Sequence, residues 1–291
     1  MEPGHPPLRE RQLSLRYGAR GATVVLHRWS GHTPVHGMLV AVHGIGGHGA
    51  PFRRLAEALA PQGWAVMAPD LPGHGRSPGP RGWVPAWTSL GEVVTATLAM
   101  AARELPDGPK VLLGHSLGGA VCADLLLREP ELAKGLRGLV LTNPALDAAG
   151  VAWWRVLVAR LLSQLMPCLT LNTGIDMALA SRDASALERF RTDTLRHSRC
   201  SLRLGAGFLA TAATLRQRAP DLHLPLLVLQ SGDDRVTAPE AAEGFFAAAG
   251  SPDKTWQLYP QSRHELFDDL DRAQALADLR AWLDAHGRKG S

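Results

Sequence analysis

Cysteine is scarce in this chain of 291 residues: Cys122, Cys168 and Cys200 lie far apart and share no CxxC spacing. Nothing there builds a disulfide framework or a metal site. Apolar runs are short, and none reaches the roughly 18 residues that would span a membrane. The opening stretch MEPGHPPLRERQLSL has no apolar h-region, so no secretory signal is read and a reducing, cytoplasmic location is the expectation. Blocks of one charge are absent as well. The net charge is +4, yet Lys and Arg are spread thinly through most of the chain and thicken only between about 151 and 220, with neither the block nor the interleaved aromatics of a nucleic-acid binder. There is no internal repeat, which removes solenoids and propellers.

What remains is ordinary globular composition, 45% hydrophobic and 20% charged. Strand-like runs fall at residues 12–16, 23–29, 37–42, 64–68, 110–113, 139–141, 225–229 and 255–259, and the run at 37–42 is continuously apolar, as in a strand buried on both faces. Helical spacing falls at 52–59, 90–105, 120–127, 240–249 and 272–285. Such alternation implies βαβ units and a mostly parallel sheet. From about residue 144 the alternation stops. Segments 151–166, 178–194 and 202–218 read as helices with no strand between them, and Pro167 ends the first. The chain therefore divides into an α/β core, 1–143 and 221–291, and a helical insert, 144–220. The extreme termini, rich in Pro, Arg and Gly, are expected to be disordered.

GHSLGG at 114–119 sits between a strand and a helix. A serine flanked by small residues at that junction fits a nucleophile elbow, where the backbone is strained and bulky neighbours would clash. A nucleophilic serine needs a base, and the base needs an orienting acid. In chain order after Ser116 come Asp234, past the strand at 225–229, and His264, past the strand at 255–259. Both lie at the C-terminal ends of strands, where open α/β sheets place their sites. Asp233 and Asp147 are rival acids. His43, His48, His74 and His115 also fall near loop tips, but only His264 fits the order; His43 and His74 are read as loop braces, and His115 as pointing away from Ser116. The oxyanion of acyl transfer needs N–H donors. Leu117 supplies one, and Ile45, in the glycine-rich loop 43–49, is best placed for the second.

VAVHGIGGH at 40–48, APDLPGHGRSPGPRG at 68–82, LLGHSLGG at 112–119, SRD at 181–183, LVLQSGDDRV at 227–236 and SPDKTWQLYPQSRHELFDD at 251–269 together resemble the α/β-hydrolases, in particular the monoacylglycerol lipase-like (lysophospholipase-like) serine hydrolases. The resemblance spans about residues 20–285 and implies an eight-stranded, mostly parallel sheet with a helical cap inserted after the sixth strand. It implies the triad Ser116, Asp234 and His264, an oxyanion hole from the Ile45 and Leu117 amides, and no metal or organic cofactor. Gln230-Ser231 departs from the His-Gly more usual before the acid.

The implied chemistry is ester hydrolysis through an acyl-enzyme, most naturally of a monoacylglycerol. Lysophospholipase and general carboxylesterase are the alternatives; an acyltransferase or an inactive binding protein belongs to a different class. In 151–166, Trp153, Leu157, Leu161 and Leu165 form one row at i, i+4 spacing, with Trp154, Val158 and Leu162 beside it. Most of that surface is expected to pack on the core. The alternative is an acyl tunnel or peripheral membrane contact, with the arginines concentrated between 151 and 220 meeting headgroups.

Overall fold

The computed structural model describes residues 8–147 and 153–287. In chain order the first half contains β1 (Arg9–Tyr17), β2 (Ala22–Ser30), β3 (Gly37–Val42), α1 (Arg53–Leu59), β4 (Trp64–Pro69), α2 (Thr88–Glu104), β5 (Lys110–His115), α3 (Leu117–Arg128), α4 (Pro130–Ala133) and β6 (Gly138–Thr142). Then come α5 (Trp153–Leu165), β7 (Thr170–Asn172), α6 (Ala184–Thr192), β8 (Arg199–Ser201), α7 (Leu202–Arg218), β9 (Leu226–Ser231), α8 (Pro239–Ala248), β10 (Lys254–Tyr259) and α9 (Arg272–Gly287).

Eight strands form one sheet in the order β1-β2-β4-β3-β5-β6-β9-β10. The β1–β2 hairpin is antiparallel and joins β4 antiparallel; from β4 to β10 every pairing is parallel. This is the architecture the motifs imply. β3, β4, β5, β6 and β9 are buried along their whole length, because helices cover both faces. Side chains alternate between two core layers. Leu112 of β5 joins the layer beneath α2, α3 and α8, while its neighbours Val111 and Leu113 join the one beneath α1 and α9.

The segment between β6 and β9 stands outside this sheet. It is not purely helical: β7 and β8 pair antiparallel, Leu171 opposite Cys200. Strands of three residues carry too little alternation to register as a pattern, which is why the sequence showed none. The helix expected over 178–194 begins only at Ala184, because the Asp183 carboxylate accepts from the Ser185 and Ala186 amides and caps it there. Val151 and Ala152, the start of the helix expected at 151–166, lie outside the described residues, as do the terminal stretches expected to be disordered. The α5 surface differs from expectation more sharply. Leu157, Leu161 and Leu165 do not pack on the core; they are 59, 60 and 70% exposed.

Candidate active site

The elbow is built from close approach. Ser116 caps α3 with φ 54° and ψ −121°, a conformation outside the broad regions open to most residues. Ser116 N donates to Thr142 O at 3.1 Å, and Ser116 O accepts from Gly119 N at 2.9 Å and Ala145 N at 3.0 Å, so three elements hold the turn. Neighbours must be small for it to close. A Cβ on Gly118 would lie 2.2 Å from Val42 O, and one on Gly44 would lie 2.9 Å from Ser116 Cβ. The loop carrying Ile45 therefore lies directly against the serine. Among the described residues, neither the Ile45 nor the Leu117 N–H has an internal hydrogen-bond partner.

β9 and β10, parallel neighbours, deliver the other two groups. His264 Nδ1 lies 2.8 Å from Asp234 Oδ2, and both residues are buried. Asp234 also accepts from Val236 N (2.8 Å), Thr237 N (3.0 Å) and Thr237 Oγ1 (2.7 Å). Burial pushes its carboxyl up, but the bonds from His264 and Thr237 outweigh that and hold it below the usual carboxylate range. An ionised Asp234 keeps the His264 proton on Nδ1 and leaves Nε2 free to accept one. Asp233 faces away, engaged by Arg235 and Arg263. Asp147 is exposed and reaches only the larger of the two cavities described next.

Two cavities meet at this point, and Ile45 and Val236 line both. One, of about 570 Å³, is walled by apolar side chains including Leu117, Leu146, Leu171, Leu204 and Phe208. The other, of about 240 Å³, is mixed and the more polar of the two, with His264, His115, Glu265, Arg196, His197 and Asp193 in its wall beside Ile175, Met177 and Phe190.

The sequence pattern of the serine aminopeptidase S33 family matches residues 33–271. The chain belongs to that family. It is 28% identical to a monoacylglycerol lipase of Mycolicibacterium smegmatis over 92% of this chain and 95% of that protein. The crystal structure of a Paleococcus ferrophilus monoacylglycerol lipase superposes with a TM-score of 0.81 at 29% identity, covering 90% of this chain and 99% of the other. An abhydrolase domain-containing protein of Dictyostelium discoideum is matched at 28% identity over 90% of this chain but only 28% of its own length.

In this S33 member the rival histidines are committed elsewhere. His43 donates from Nδ1 to Gly44 O at 2.7 Å and accepts from Leu71 N at 2.9 Å, bracing the Ile45 loop; burial takes its pKa down to about 4. His74 engages Pro72 O, and His48 engages Asp193. His115 bonds Thr142 and lies beside Glu265, although its ring sits 4.9 Å from that of His264.

One residue that the sequence did not reveal ties the site together. Asn143 follows β6 with φ 43°. Its Nδ2 donates to His264 O at 2.6 Å and Ser231 Oγ at 2.9 Å, and its Oδ1 accepts from Ser231 N at 2.7 Å. The Gln230-Ser231 departure thus keeps the turn ordered, with Ser231 serving as an anchor for Asn143. A lone Asn between a strand and Pro144 has no motif to mark it.

Proposed function

We propose that this protein hydrolyses the carboxylic ester of a monoacylglycerol, with Ser116 as nucleophile, His264 as base and Asp234 as orienting acid. The observation that carries this reading is the strained elbow serine packed against the Ile45 loop, with Ile45 lining two adjoining cavities and His264, in the wall of one, bonded to buried Asp234. A cavity of about 570 Å³ is within the usual range for a small-molecule site, and its apolar wall suits an acyl chain.

The polar cavity suits a neutral alcohol better than a phosphate. Arg196 in its wall is bonded to Glu265, Arg191 to Glu188, and Asp193 to His48. Burial lowers the pKa of His197, which favours its neutral form. Charges already compensated in pairs leave little net attraction for an anionic headgroup, whereas hydroxyl groups find both donors and acceptors.

His264 Nε2 takes the Ser116 proton as Oγ attacks the ester carbonyl. The Ile45 and Leu117 amides hold the oxyanion, each such donor being worth on the order of 10²–10³ in rate. Glycerol leaves with the proton from His264, and water then repeats the attack on the acyl-enzyme. Residues 144–220 serve as a cap over the two cavities. No helix among the described residues is long and apolar enough to cross a membrane. The exposed Leu157, Leu161 and Leu165 row, together with Leu171 exposed at the apolar cavity, instead fits peripheral contact with a lipid surface from which substrate enters.

The test is a panel of esters varied in chain length and headgroup, run on wild type and Ser116→Ala. Fatty acid release from monoacylglycerol should lead the panel and fall by roughly 10⁵–10⁶ in the variant. A preference for short-chain esters or lysophospholipids would replace the substrate assignment, and failure of a fluorophosphonate probe to label Ser116 would overturn the mechanism.

A further inference from the structure

The first turns of α7 contain two glycines, Gly205 and Gly207, and a glycine inside a helix destabilises it relative to alanine. The two are there for different reasons. A Cβ on Gly207 would lie 2.7 Å from Trp87 Cβ, so close packing excludes any larger residue. Gly205 is under no such demand among the described residues. Its φ is not positive, and the nearest described atom to a Cβ built there is Cys200 Sγ at 3.6 Å, an ordinary van der Waals contact. The helix gives up stability at this position, and no close approach among the described residues returns it.

The place of Gly205 on the helix supplies a reason. Residues three and four apart share one helical face. Ser201, Leu202, Gly205, Phe208 and Leu209 follow that spacing, and all five line the apolar cavity of about 570 Å³. Gly205 sits in the middle of this row, with Leu202 before it and Phe208 and Leu209 after it. Ile45, Thr173, Ile175 and Val236 line both cavities and so mark their junction, whereas Gly205 lines the apolar one alone. The helical wall of the cavity is therefore thinnest at Gly205, and a side chain placed there takes up cavity space rather than core space.

We propose that Gly205 sets the length of acyl chain that the apolar cavity admits. The missing side chain leaves room that the far methylenes of a long fatty acyl group fill, and a larger residue turns the protein toward shorter chains. The idea rests on the monoacylglycerol reading of this cavity and adds to it the residue that selects among monoacylglycerols. Gly205 touches no reacting atom; its part is in specificity.

The test is kcat/KM along a ladder of monoacylglycerols from butanoyl to stearoyl, on wild type, Gly205→Ala and Gly205→Leu, with a urea midpoint for each. Gly205→Leu should lower kcat/KM for the stearoyl ester relative to the octanoyl ester by about 10–200-fold, the range for one ill-fitting methylene in an apolar pocket, with Gly205→Ala in between. Gly205→Ala should unfold at the wild-type urea concentration or above it, whereas Gly207→Ala should unfold below it. A lower midpoint for Gly205→Ala would show that packing holds the glycine, and the proposal falls. It falls equally if the ladder is unchanged in Gly205→Leu, or if every ester loses by the same factor. If Gly205→Leu does not fold, the direction of the Gly205→Ala change along the ladder decides. If wild type is labelled by a fluorophosphonate but hydrolyses no monoacylglycerol, the substrate reading fails on its own account. Alkyl fluorophosphonates of graded length then replace the esters: Gly205→Leu has to slow labelling by the long probes more than by the short ones, and equal slowing overturns the role of Gly205.

Discussion

Asn143→Ala is the substitution whose cost the structure specifies most closely. The Asn143 amide is the shared partner of the buried Ser231 N–H and of the His264 carbonyl, at 2.7 and 2.6 Å. Alanine leaves the Ser231 N–H unsatisfied, at about 1–3 kcal/mol, and removes one bond from the His264 carbonyl, which keeps Leu266 N at 3.1 Å, at about 0.5–1.5 kcal/mol. It also puts a Cβ residue with no local polar compensation at φ 43°, which adds about 1 kcal/mol. The sum is roughly 2.5–5.5 kcal/mol, a large share of the stability of an ordinary domain. Urea unfolding followed by circular dichroism reads it directly, and Asn143→Gly, which relieves only the backbone part, should recover about 1 kcal/mol. Activity should fall as well, because freeing the His264 carbonyl loosens the base relative to Ser116, and a misplacement of about 1 Å can cost on the order of 10²-fold. An alanine variant that unfolds at the wild-type urea concentration and turns over ester at the wild-type rate would show that Asn143 anchors nothing.

Gly118→Ala should abolish most fluorophosphonate labelling, because its Cβ would meet Val42 O at 2.2 Å and drive the elbow from the Ile45 loop; Gly135→Ala, whose nearest contact is 3.6 Å, is the harmless comparison. Stability should fall on acidification. Burial takes the His43 pKa down to about 4 in the folded chain, against an ordinary value of 6.5 when unfolded, so its contribution is complete above pH 6.5 and shrinks as pH drops toward 4. By pH 5 the loss is about 2 kcal/mol, visible as a lower urea midpoint, and His43→Asn should flatten that dependence. Changing Leu157, Leu161 and Leu165 together to Glu should abolish co-sedimentation with phospholipid vesicles while leaving hydrolysis of a water-soluble short-chain ester unchanged; equal sedimentation would sink the membrane contact.

Much of this was legible in the chain. The continuous apolar runs at 37–42 and 110–113 announced strands covered on both faces, and the glycines of GHSLGG announced a tight strand-to-helix turn. Legibility failed where structure depends on partners remote in sequence. β7 and β8 exist only because residues 170–172 and 199–201 meet, and neither has a pattern of its own. Asn143 lacks a signal because its role is defined by His264 and Ser231, far along the chain. The pairing of Arg196 with Glu265 was equally hidden, since the arginines of the insert read as a surplus of positive charge. In the fold, Arg182, Arg189, Arg196 and Arg218 each meet a carboxylate of the core. The exposed row on α5 was misjudged for the same reason: periodicity shows that a helix has an apolar face but not what that face meets.

The chain leaves the sheet after β6 and returns in β9, its hydrogen-bonded neighbour, with Leu139 opposite Leu226 and Thr142 opposite Leu229. The two strands are parallel, so the excursion ends at the opposite edge of the sheet from where it begins and has to carry one crossing back, which α7 makes with Leu204 and Leu215 in the core layer; the rest of its length answers to no demand from the sheet. Descent with modification can rebuild much of it while the strands on either side stay as they are. The freedom has a limit at the 193–198 loop. Any replacement segment has to bring its own answer to His48 and to the half-buried carboxylate of Glu265, so diversification here is expected to change those few positions in concert.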